Sequence, residues 1–190
     1  MPEEPEIDTD RLRESIEERP SGALLQNIAL TTAVFAALGA IAALRAGGTV
    51  NEALVLKTEA ARMQSEASDQ WAYYQAKGIK ANVEEASRAA WLAAGKTPPP
   101  DLGETSHRYA TEQKEIELAA HEKERERDEK SSEADRLLEQ HHRFADSVAL
   151  FQVAIALGAV SALTRQRIVW AASGLLGLAG AGLFALTLLR

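Results

Sequence analysis

The sequence predicts an all-α protein: three transmembrane helices plus a long antiparallel helical hairpin, coiled-coil-like, outside the membrane. Three observations lead there. Residues 21–44, 147–164 and 168–189 carry no charged side chain. The stretches between them are dense in charge yet keep helical spacing over long runs, and a Gly/Pro block at 95–103 divides them. No strand-like alternation occurs anywhere. A helix rises ~1.5 Å per residue, so about 20 residues cross a ~30 Å hydrocarbon core, and each neutral block has that reach.

Bulk composition hides this segregation. The chain is 46% hydrophobic and 26% charged with a net charge of −7, the values of an ordinary soluble protein, because two unlike halves average out. There is no cysteine, so neither disulfides nor thiolate chemistry is available. Lysine and arginine are interleaved with more numerous acids, which argues against nucleic acid as a partner. No polybasic cluster adjoins a neutral block, so specific capture of anionic lipid has little support, and lipid enters as the solvent of the spans.

Residues 1–20 form an acidic tail led by Glu3, Glu4, Glu6, Asp8 and Asp10, the wrong sign for a secretory leader. Residues 21–45 are the first span, a retained anchor. Gly47-Gly48 should break the helix, and Thr49 with Glu52 three residues on is a capping-box pattern that restarts it. The first hairpin helix is expected over 49–94, with a stripe at Ala53, Leu56, Ala60, Met63, Ala67, Trp71 and Tyr74 facing one partner. The tip occupies 95–103, where Pro98-Pro99-Pro100 cannot continue a helix. The second hairpin helix, 104–146, holds one phase from Tyr109 through Ile116, Ala134 and Phe144 to Gly158, and so runs on into the second span, 147–164. Glu126/Lys130, Arg125/Glu129 and Glu139/Arg143 are spaced to support it. A turn at 164–167 makes the third span, 168–189, an antiparallel neighbour of the second.

The candidate interaction patch is Asp69, Gln70, Trp71, Tyr73, Tyr74, Gln75, Lys77 and Lys80, which gathers aromatics among amides and lysines. It reads as a recognition surface or, the favoured alternative, as large knobs of the hairpin core with Gly78 giving room. Gly158, Gly174, Gly177 and Gly180 are candidate packing positions in the spans, where small residues let helices approach closely. Among the histidines, Glu139-Gln140-His141-His142 offers a single Glu-x-x-His. A di-metal bundle needs that motif on facing helices, so no metal or other cofactor is expected. Nothing resembles a nucleophile elbow, phosphate loop or zinc-protease helix, and no catalytic residue is assigned. No charge lies near a span's midplane, the usual mark of proton relays and coupled transporters.

Gly47-Gly48-Thr49-Val50-Asn51-Glu52-Ala53, Ser68-Asp69-Gln70-Trp71-Ala72-Tyr73-Tyr74-Gln75-Ala76-Lys77 and His141-His142-Arg143-Phe144-Ala145 resemble a family of bacterial membrane proteins known only as a domain of unknown function, number 4337. The likeness covers nearly everything after residue 20. It implies three spans in a bacterial inner membrane and supplies no activity or cofactor.

The expected role is therefore a non-enzymatic membrane scaffold or interaction protein, a homo-oligomer through its spans, offering the hairpin to a protein partner. The alternative is an oligomeric pore or transport-accessory subunit, motivated by Gln26, Asn27, Thr31, Thr32 and Gln152. Arg11, Arg13, Arg19, Arg165 and Arg167 share one side of the membrane. The positive-inside bias makes that side cytoplasmic and the hairpin periplasmic, although Arg45, Arg143 and Arg190 lie opposite.

Overall fold

The structure, a computed structural model, describes residues 22–189; the expected acidic tail lies outside them. Three helices account for nearly all of the described chain, which contains no strand: α1 (Gly22–Ala93), α2 (Pro100–Thr164) and α3 (Arg167–Leu188). Each includes a stretch long and apolar enough to cross a membrane. The chain divides into two compact units, one made of the described residues up to Gly48 and from Gln140 onward, the other of Thr49–Glu139.

The expected break at Gly47-Gly48 is absent: α1 runs through it without interruption. Glycine weakens a helix interior by about 1 kcal/mol relative to alanine but does not forbid helical dihedrals. The long helical segments on either side carry the chain across. Thr49 and Glu52 consequently sit inside α1, and their spacing is no start signal here.

Real punctuation comes later. Gly95 adopts a left-handed φ of 68°. Its N–H donates to the Leu92 carbonyl and that of Lys96 to the Trp91 carbonyl, both at 3.0 Å. This is the Schellman closure, in which two otherwise orphaned carbonyls are satisfied by the residues after the helix. α2 then begins at Pro100, earlier than expected, because proline fits the first helical position, where no N–H is required. Between α2 and α3 only Arg165 and Gln166 are non-helical. Arg165 takes a φ of 54°, and the Ser161 hydroxyl donates to the Gln166 carbonyl at 3.0 Å.

In the Thr49–Glu139 unit, α1 and α2 pair antiparallel. Ala53, Leu56, Ala60 and Ala67 on one side meet Ile116, Ala120 and Ala134 on the other, all buried. Leu137 and Leu138 close over the Ala53/Leu56/Ala134 end. In the other unit the core is Phe35, Ala42, Phe151 and Ala154, with Leu38, Leu176 and Phe184 packed against it. Phe35 and Phe151 stack with ring centres 6.3 Å apart, and Phe144 with Phe184 at 5.7 Å.

Candidate functional site

The eight patch residues separate into an inward and an outward set. Trp71, Tyr74 and Lys77 turn toward α2, whereas Asp69, Tyr73, Gln75 and Lys80 are exposed and Gln70 is half-buried. The cause is helical phase. Trp71, Tyr74 and Lys77 continue the small-residue stripe from Ala67 at intervals of four and three, so the bulky residues inherit its direction.

Two clusters result. The Trp71 indole N–H donates to Glu124 Oε1 at 2.9 Å, and His121 Nδ1 lies 2.9 Å from the other oxygen of that carboxylate. Trp71 also meets Tyr74 and His121 edge-on, with ring centres 5.5 and 5.2 Å away. These donors, the indole first, hold the Glu124 carboxyl below its usual range. One turn farther on, the Lys77 ammonium lies 5.1 Å from the ring centres of both Tyr73 and Tyr109 and pairs with Glu112. Its side chain is only 13% exposed. The Glu112 contact raises the lysine pKa, and the same contact lowers that of Glu112. Gln113 donates to the Tyr74 carbonyl at 3.1 Å and fills the space left by Gly78, where a Cβ would come within 2.7 Å of its amide nitrogen.

Nearer the other end of this unit, polar pairs across the hairpin flank the buried Ala53, Leu56 and Ala134. Lys57 reaches Asp135 at 2.7 Å, Lys130 reaches Glu59 at 3.0 Å, and Lys123 bridges Glu66 and Glu126 at 3.3 and 3.0 Å. Lys130, expected to support α2 through Glu126, instead holds α1. Arg125 and Glu129 do form their expected pair, at 3.9 Å.

Of the four candidate glycines, three sit at close approaches. A Cβ on Gly158 would lie 2.5 Å from Thr32 Oγ1, one on Gly177 would overlap the Phe35 ring, and one on Gly180 would come within 3.1 Å of Leu150 Cβ. Gly174 has open space instead. The hydrogen bonds made beside them were not evident from the sequence. Ser173 donates to the Ala154 carbonyl at 2.6 Å, and the Trp170 indole to Thr31 Oγ1 at 3.2 Å. The small polar type of Ser173, four residues before Gly177, was the available signal.

An open apolar groove of about 680 Å³ runs between α1 and α2, walled by Ala29, Ala33, Ala36, Gly158, Ala159 and Ala162. Gln152 is exposed on α2 and has no hydrogen-bond partner among the described residues. His141 contacts the Ala46 carbonyl through Nδ1 at 2.9 Å. No group of three or more histidine and carboxylate side chains is placed to hold a metal among the described residues. Packing and ion pairing account for what these side chains do within one chain.

One family profile, described as Domain of unknown function (DUF4337), matches residues 24–190. Comparison with curated proteins and with solved structures gave no match.

Proposed function

Because the chain belongs to the family described as Domain of unknown function (DUF4337), a description that assigns no activity, we propose its role from its own residues: a non-enzymatic membrane scaffold that self-associates through its spans. The hairpin of α1 and α2 stands outside the membrane, on the periplasmic side of a bacterial inner membrane, and is the part offered to partners.

Gln152 carries this reading. A primary amide facing hydrocarbon with no partner is unfavourable, and interhelical amide contacts in membranes contribute about 0.6–2 kcal/mol. Gln152 lies exposed within an apolar span and has no hydrogen-bond partner among the described residues. A second copy is the nearest source of donors and acceptors. A groove of about 250 Å³ lined by Ala36, Gly39, Ala40, Ala43 and Gln152 itself gives such a copy room to approach. Mass photometry of the full chain in mild detergent should find oligomers, and Gln152→Leu should shift them toward protomers. A wild-type protein that is strictly monomeric in both detergent and nanodiscs would remove the proposal.

The same amide favours one rival, an oligomeric pore with Gln152, Gln26 and Asn27 on its wall, since all three are exposed on the spans. Liposome flux separates the two readings. A scaffold passes no ion in any series, whereas a pore conducts and loses conductance in Gln152→Leu.

A further inference from the structure

On the part of α1 beyond Tyr74 a second apolar face runs on the side away from α2. Ala72, Ala76, Ile79, Val83, Ala86, Ala90 and Ala93 follow one another at intervals of four and three without an error, and every one is exposed. Ile79 and Val83, its two large members, are 64% and 59% exposed. The face that pairs with α2 is a different one, through Tyr74, Lys77 and Ala81, which are half-buried. A strict four–three repeat is the seam that keeps two helices in contact along their length. An isolated solvated helix has no need of it.

We infer that this face is the contact between two copies of the chain, which pair α1 with α1 in parallel and in register. The inference rests on the self-association proposed above and extends it from the spans to the hairpin. Direction follows from anchoring: α1 contains a span, so copies inserted in the same sense carry their α1 helices in the same direction. Charge agrees. In a chain of net charge −7, the residues flanking the seam are Tyr73, Gln75, Lys80, Asn82, Ser87 and Ala89, without one acid. Glu84 and Glu85 fall outside the flanks. In a parallel pair Lys80 faces Gln75 of the other copy, so no like charges meet across the seam. The preponderance of alanine permits close backbones but buries little area per residue. Such a seam is weak in free solution and becomes effective when both partners are confined to one membrane.

The absence of native cysteine makes the test direct. Single cysteines are placed in the full chain at Ala76, Ile79, Val83, Ala86 and Ala90, and off the seam at Glu85 and Arg88, then oxidised in native vesicles. Homodimer linkage should follow the four–three period, with seam positions at least about fivefold above the off-seam pair. Ile79→Glu with Val83→Glu should abolish linkage through Ala86→Cys. Linkage confined to one position would mean helices that cross rather than run together in register, and adducts with a different protein would mean a heterologous occupant. Either result overturns the inference, as does a flat profile. Gln152→Cys in a parallel arm distinguishes the two readings. If it links while the seam does not, the spans associate and the hairpin pairing is wrong. If the seam alone links, the pairing stands and the role assigned to the span amide falls. If neither links, both are wrong.

Discussion

Gly177 has no side chain, and the end of the Phe35 ring occupies the space one would need. Phe35 is itself fixed, 8% exposed and stacked on Phe151. Gly177→Ala should therefore destabilise the span unit by about 1–3 kcal/mol, the usual cost of overpacking a filled core. Gly174→Ala, where a methyl meets nothing within 4 Å, should cost nothing and gain up to about 1 kcal/mol of helix stability. Thermal unfolding of both variants in detergent checks the pair, and Phe35→Leu should restore part of what Gly177→Ala loses, since the two sites share one contact. Equal effects at both glycines would contradict the packing described. Sequence alone singled out the glycines but did not separate them. A repeat every three residues drifts around a helix, so adjacent members of the 174, 177, 180 series need not face the same neighbour. The direction of Lys77 was hidden for a related reason. Lysine reads as a surface residue, and only the rings of Tyr73 and Tyr109 with the Glu112 carboxylate make its partial burial tolerable.

At the level of elements, the α1–α2 hairpin is joined by few large apolar contacts and many ionic ones, so its stability should follow pH at both ends of the range. Glu112 and Glu124 have lowered pKa values. Their contribution is complete above the ordinary carboxylate value of 4.5 and fades as pH falls through the lower folded values. Lys77, Lys123 and Lys130 have raised pKa values. Their contribution is complete below 10.5 and fades as pH rises through the higher folded values. Urea unfolding followed by circular dichroism should give a plateau between those limits with a fall on each side. Trp71→Phe should shrink the acid fall, because the indole is the first cause of the Glu124 shift. An acid limb unaffected by that change would argue against the Trp71–Glu124 bond. The helices themselves were legible from their spacing, and so was the paired face, because burial follows the Ala53-to-Tyr74 stripe closely. The fate of Gly47-Gly48 was not. A dipeptide that breaks helices in isolation is overruled when long helical segments meet across it.

For the molecule as a whole, three neutral blocks embedded in helices of 72, 65 and 22 residues make the membrane the natural solvent of much of the chain. The full chain should stay in the membrane pellet through alkaline carbonate extraction and enter the soluble fraction only with detergent; release by alkali alone would contradict the reading of the spans. That much could be read directly, since a charge-free helix of this length matches the hydrocarbon thickness of a bilayer. Which helix faces lie unpartnered could not, because exposure depends on the packing of both helices. The seven-residue face from Ala72 to Ala93 is visible in the letters, yet nothing separates it from a buried stripe until α2 is known to lie on the other side.

The link between α2 and α3 is two residues, Arg165 and Gln166. Two residues reach at most about 7 Å, far less than the thickness of a bilayer. During synthesis, then, the two segments should enter lipid as a folded-back pair, and a nascent chain truncated before Arg167 should retain its second span in the membrane less well than the full chain.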